Sequence, residues 1–185
     1  VKVLGTGDMG LGNTSPSAAI GALCTGQSLD IMVGRGTGVD DQGLEKKRNV
    51  IHKGININNP DTEDGLDILA RVGGFEIGGI AGCMLAGAYY SRAVMVDGFI
   101  SSAGALIANC LCPYVKDYLF AGHCSEEQGH KSILSYLQLK PLLDLSMRLG
   151  EGTGGALAMS VMDAALRVFK EVLTFEQAGV RDKEE

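Results

Sequence analysis

Tryptophan is absent from this 185-residue sequence, and tyrosine and phenylalanine contribute five residues each. Rings so few and scattered make no base-stacking platform, and a formal net charge of −6 leaves no basic footprint, which argues against nucleic acid as a partner. Proline is scarce at four residues, and with 45% hydrophobic residues the chain is not of low complexity. The five cysteines, Cys24, Cys83, Cys110, Cys112 and Cys124, are odd in number, sit mostly inside apolar runs and include no Cys-x-x-Cys. That pattern fits a reduced, cytoplasmic interior better than a disulfide framework. The longest uncharged run, Phe99 to Val115, contains Ser101, Ser102, Asn109 and Pro113 and falls short of a bilayer span. Neither an initiator Met nor a signal peptide is present, and the first glycine loop begins within five residues, so the chain reads as cut at its front.

Glycine is what the sequence has in excess: 27 of 185 residues, about 15% against a usual figure of roughly 7%. Between the glycines, short runs rich in Val, Ile, Leu and Phe alternate with helix-length segments of three-to-four periodicity. Strands are expected at Val1–Leu4, Asp30–Val33, Ala93–Val96, Tyr118–Ala121 and Pro141–Leu145. Helices are expected near Ser15–Thr25, Asp40–Ile55, Phe75–Ser91, Ser101–Leu111, Ser125–Leu137 and Thr153–Leu173. Asp40 can cap its helix, and Ser125-x-x-Gln128 and Thr174-x-x-Gln177 are capping-box patterns. The fold predicted is α/β, a three-layer Rossmann-like parallel sheet flanked by helices, as one domain over residues 1–185. Within it the polar stretch Asn56–Gly65 reads as a surface loop, and the charged tail Arg181–Glu185 is expected to fray.

Gly-Thr-Gly occurs at 5–7, 36–38 and 152–154. Loops of this kind at the carboxyl edge of a parallel sheet, with helix N-termini behind them, can cradle an anion. The first lies in Gly5-x-Gly7-x-x-Gly10, a dinucleotide pattern, but the acid expected at the end of the second strand stands at its start, as Asp30. From Gly7 the chain also reads G-x-x-x-x-G-N-T, a phosphate loop with Asn13 in place of the lysine. A structural turn, or a monophosphate or sugar-phosphate site, remains open. Around the second loop, Asp40 and Asp41 follow the Thr-Gly, the reverse of the order in phosphoribosyl-pyrophosphate loops, and read as helix-capping charges. Lys46, Lys47 and Arg48 read as a solvated face.

Asp97 ends a strand and precedes Gly98, at the ligand edge or in a turn. His123 follows an apolar strand and can face the same edge, whereas His130 reads as surface. The spacing in HCSEEQGH matches no common zinc pattern, so no metal is expected. Glu151, flanked by glycines ahead of a helix, is either a cap for that helix or a general base. Gly78, Gly82 and Ala86 recur at helical spacing and suit close approach of another backbone in the core or between subunits.

Six blocks, GDMGLGNTSPS, VGRGTGVDDQGLEKK, VGGFEIGGIAG, VMVDGFISSAGAL, DYLFAGHCSEEQGH and LLDLSMRLGEGTGGALAM, closely resemble the nicotinate-nucleotide:dimethylbenzimidazole phosphoribosyltransferase family, in order and over nearly the whole chain. The resemblance implies a glycosyltransferase of cobalamin lower-ligand synthesis. Ribose 5-phosphate passes from nicotinate mononucleotide to 5,6-dimethylbenzimidazole or a related azole, giving α-ribazole 5′-phosphate and nicotinate without cofactor or metal. It implies Glu151 as the base and Leu149 and Gly150 as lining for the azole. Asp8, Met9 and Gly10 of the first loop, where the family more usually has glutamate at position 8, would face the ribose phosphate. Gly34, Gly36 and Thr37 of the second block join them, with Lys47 as the cation for the phosphate and Asp97 and His123 as further substrate contacts. Family members are homodimers and carry a long segment before the first of these blocks, which this sequence does not contain. A catalytically inactive module that keeps the phosphate cradle is the alternative expectation.

Overall fold

The structure, a computed structural model, describes residues 2–180 apart from Gly36, Thr37 and Val39. Strand β1 (Val3–Gly5) leads through the first glycine loop into α1 (Thr14–Thr25), then a single turn α2 (Leu29–Met32), α3 (Asp41–Asn58), α4 (Gly65–Val72) and α5 (Phe75–Tyr89). The second half runs β2 (Ala93–Val96), α6 (Phe99–Leu111), a 3₁₀ turn (Pro113–Tyr118), β3 (Leu119–Ala121), β4 (His123–Ser125), α7 (His130–Leu137), β5 (Leu143–Met147) and α8 (Thr153–Glu171).

All described strand pairs are parallel, as the alternation of strand and helix requires. β2 is the middle of a three-stranded sheet, with Val3 opposite Ala93 and Val94 opposite Leu119. β4 pairs with β5 in a second ladder. The backbone passes from one to the other through Gly122, whose N–H donates to the Val96 carbonyl at 2.7 Å while its own carbonyl accepts from Leu143 N–H at 3.2 Å. The result is α/β with parallel strands flanked by helices, arranged as ladders of three and two.

The core follows from composition. Helix α6 has no charged side chain and small or apolar groups all round, so it has no face to give to water. Every residue from Phe99 to Ala108 is buried, packed by α1, α4, α5 and α7. Val94, Met95 and Val96 of β2 are fully buried in turn, with Ile20 of α1 and Ile77 and Met84 of α5. The uncharged run is thus a core helix, and among the described residues no helix is long and apolar enough to cross a membrane.

Four local expectations differ from the structure. Asp30–Val33 is not a strand: Leu29–Met32 forms a helical turn with Ser28 before it and Asp30 in its first turn, burying Met32. A four-residue apolar run looks the same in either conformation. Ser125 belongs to β4 and caps nothing; α7 starts at His130. Within the expected loop Asn56–Gly65, α3 continues to Asn58 and Gly65 opens α4, capped by Asp64 through the N–H groups of Leu66 and Asp67. His130, expected at the surface, is fully buried. Its Nδ1 accepts from Ser125 N–H at 2.9 Å, and its Nε2 lies 3.0 Å from Ser102 Oγ. Asp40 does cap α3, accepting from Gly43 N–H at 2.8 Å, and Thr174 and Gln177 exchange the two bonds of a capping box.

Candidate functional site

The carboxyl ends of β1, β2, β4 and β5 open into one cavity of about 630 Å³. Each wall is positioned by its own strand. After β1, Thr6 still donates N–H to the Met95 carbonyl at 3.0 Å, and the chain then turns away through Gly10 (φ +76°) and Gly12 (φ +80°). Asp8 shapes this turn itself: its Oδ1 accepts from Gly10 N–H at 2.8 Å and from Asn13 Nδ2 at 2.7 Å. Asn13, which stands where a phosphate loop has lysine, is therefore a buried brace, and no side chain caps the N-terminus of α1 behind it.

The cation comes from elsewhere. Lys47 reaches from α3 to donate to Thr14 Oγ1 at 3.0 Å and to the Gly34 carbonyl at 3.2 Å, placing its ammonium at the open start of α1. Burial pulls the Lys47 ammonium below its ordinary lysine value, with the Glu127 carboxylate opposing. Arg35 pairs with Asp41 near the same wall.

Opposite stands the loop after β5. Gly150, Glu151 and Gly152 are all left-handed, with φ of +79°, +61° and +83°. Glu151 N–H donates to the Asp8 carbonyl at 2.9 Å, which ties the third glycine loop to the first. Gly7 makes this approach possible, since a Cβ there would overlap the backbone of Gly152. Asp97, at the end of β2 and 2% exposed, accepts from Gly152 N–H at 3.0 Å through Oδ2 and from Gly155 N–H at 2.9 Å through Oδ1.

Of the residues singled out from the sequence, Asp8, Met9 and Gly10 line the cavity from the first loop, and Leu149 and Gly150 from the third. Lys47, Asp97 and His123 also belong to the lining. Gly34 stands behind it, holding Lys47 by its carbonyl. Glu151 sits at the rim with an exposed side chain and is not among the lining residues. Gly36 and Thr37 lie outside the described residues. His123 is 1% exposed; its Nδ1 is 3.6 Å from Asp97 Oδ1 and has no hydrogen-bond partner. Sequence reading missed Thr14, Ser101, Ser125, Glu127 and Arg148, which also line the cavity. Thr14 had a signal, since it occupies the threonine position of the G-x-x-x-x-G-N-T pattern. Among the described residues no three His, Cys, Asp or Glu side chains are grouped to hold a metal.

Known proteins are similar to this chain in sequence and in fold. A protein named nicotinate-nucleotide–dimethylbenzimidazole phosphoribosyltransferase from Dehalococcoides mccartyi (strain CBDB1) is 54% identical over 184 residues, 100% of this chain and 52% of the relative. One of the same name from Desulforudis audaxviator is 53% identical over 180 residues, 97% of this chain and 51% of the relative. The crystal structure of CobT from Thermus thermophilus superposes with a TM-score of 0.92 at 44% identity, over 98% of this chain and 54% of that one. This chain thus spans about half the length of the relatives it matches. A family model described as phosphoribosyltransferase (DBI_PRT) matches residues 1–180, and to that family the chain belongs.

Proposed function

We propose that this chain transfers ribose 5-phosphate from nicotinate mononucleotide to 5,6-dimethylbenzimidazole or a related azole, releasing nicotinate and forming α-ribazole 5′-phosphate. The observation that carries the reading is the Glu151 N–H to Asp8 carbonyl bond of 2.9 Å. It sets a carboxylate-bearing loop against a glycine-rich loop on one cavity that also holds a half-buried lysine.

Each part has a chemical task. The Lys47 ammonium and the uncapped N-terminus of α1 make a seat for a phosphate, one by point charge and one by free N–H groups. Leu149 and Met9, both 62% exposed, offer apolar surface on which a flat azole can rest. The C1′ to pyridinium-nitrogen bond breaks as the azole nitrogen bonds C1′ from the opposite face, and the azole N–H proton passes to the Glu151 carboxylate. Because the pyridinium nitrogen already carries positive charge, its ring leaves neutral, and no acid is needed. Catalysis is then positioning plus one proton acceptor, with no metal or cofactor assigned a step. Five free thiols accord with a cytoplasmic setting. Exposed Gly82 and Ala86 on α5 accord with a homodimer whose helices approach closely.

A second reading has its own support. The Glu151 side chain is exposed and outside the cavity lining, which suits a module that binds the nucleotide and does not turn it over. Calorimetric titration with nicotinate mononucleotide, alongside nicotinate release with and without 5,6-dimethylbenzimidazole, separates the two. Binding with azole-dependent release is the expected result, binding alone leaves the module, and no binding removes both.

A further inference from the structure

We propose that Asp97 is a positioning residue, acting through Glu151 and not on the substrate, and this rests on the assignment of Glu151 as the base. Asp97 is 2% exposed, yet among the described residues no lysine or arginine pairs with it. A buried carboxylate without a cation has to be satisfied by N–H donors. Both donors belong to the segment that carries Glu151: Gly152, the very next residue, and Gly155 in the first turn of α8.

The loop needs such an anchor. Three consecutive left-handed residues include one, Glu151, whose Cβ makes that conformation unfavourable. Strain of this kind persists only where the surroundings over-determine it. Here the N–H of Glu151 is fixed to Asp8 and the N–H of the following residue to Asp97, so the two peptide units that flank the base's Cα are each held by one bond. Asp97 is itself set by β2, whose backbone is paired on both sides. Gly154 lets α8 start this low, since a Cβ there would overlap the His123 ring.

The carboxylate has a second effect. It fills the N-terminus of α8, which has no side-chain cap of its own. In its absence the closest carboxylate along the chain, that of Glu151, can turn back onto those N–H groups, as capping residues do. Asp97 thereby keeps the base free to face an incoming azole.

The test is a double-variant cycle on the 185-residue chain, following nicotinate release from nicotinate mononucleotide with 5,6-dimethylbenzimidazole. Asp97→Asn is expected to lower kcat about 100-fold, the scale of a small misplacement of a catalytic group, with the mononucleotide Kd within about threefold. Asp97→Asn combined with Glu151→Gln should lose no more than Glu151→Gln alone, because both act through one group. Multiplicative losses, a change confined to Kd, or an unchanged kcat in Asp97→Asn would overturn the proposal. If Asp97→Asn does not fold, amide hydrogen exchange of the native chain decides: Gly152 and Gly155 must be protected, and exchange at an open-loop rate overturns it. Glu151→Gln with native kcat sinks the base assignment itself, and a native chain without turnover overturns both.

Discussion

The backbone N–H of Glu151 and the carbonyl oxygen of Asp8 meet at 2.9 Å, across 143 positions of sequence, and so join two walls of the cavity. That bond sets the loop of Leu149 and Gly150 against the loop of Asp8, Met9 and Gly10, while Lys47 is placed separately through Thr14 and Gly34. It also makes the first and third glycine loops one mechanical unit, so changes in either should be felt in the other.

Glu151 itself trades stability for placement. Replacing it by glycine relieves the left-handed strain, so Glu151→Gly should be more stable than the native chain by about 1 kcal/mol while nicotinate release is abolished. Urea unfolding checks the first and the release assay the second. Equal or lower stability would show that the side chain makes contacts that offset the strain.

Gly7 should tolerate nothing larger. A Cβ there comes within 2.9 Å of the Glu151 carbonyl carbon and closer still to Gly152. Gly7→Ala is expected to lose about 1 to 3 kcal/mol of stability, the usual penalty of overpacking. It should also lower turnover by more than it lowers affinity, since the displaced backbone is that of the base. Thermal unfolding and a kcat-against-Kd comparison read both.

Lys47 gives opposite pH trends for binding and stability. Its folded value lies below the ordinary 10.5, with desolvation the main cause. Between the folded and unfolded values the unfolded chain binds more protons, so stability rises with pH there, while affinity for the phosphate falls as the ammonium is lost. Calorimetry and thermal melts from neutral to alkaline pH should show the two curves diverging. Lys47→Met should weaken mononucleotide binding about 10- to 100-fold, the loss of a charge-assisted bond, without lowering stability.

His130 predicts acid sensitivity. Burial, helped by His123, pushes it down to about 3 from 6.5, and its Nδ1 is committed as an acceptor to Ser125 N–H. The neutral form's contribution is complete above the unfolded value and is lost as pH falls from 6.5 towards 3, by about 1.4 kcal/mol per pH unit. Urea midpoints measured down this range should fall with that slope, and His130→Gln should flatten it.

Much of this fold was legible because its signals are local. Ala93–Val96 is a strand at the expected residues, four β-prone apolar residues bounded by Arg92 and Asp97. Helices α1 and α5 begin within a residue of expectation. The failures share a cause. The run at Asp30–Val33 has no internal periodicity long enough to choose between strand and helix, and packing chose. His130 looks like any polar residue in HCSEEQGH until Ser102 of α6 arrives beside it.

By itself, then, the sequence determined the α/β alternation, the buried uncharged helix and the glycine turns, since each depends on neighbours within a few residues. It also carried the blocks by which the chain is recognised. What only the tertiary structure decided is which groups meet: that Asp8 holds its own loop, that Lys47 supplies the cation Asn13 could not, and that both Asp97 oxygens grip the segment bearing Glu151. Most of those contacts join residues tens of positions apart, and a hydrogen bond across such a distance leaves no periodic mark on the chain that makes it.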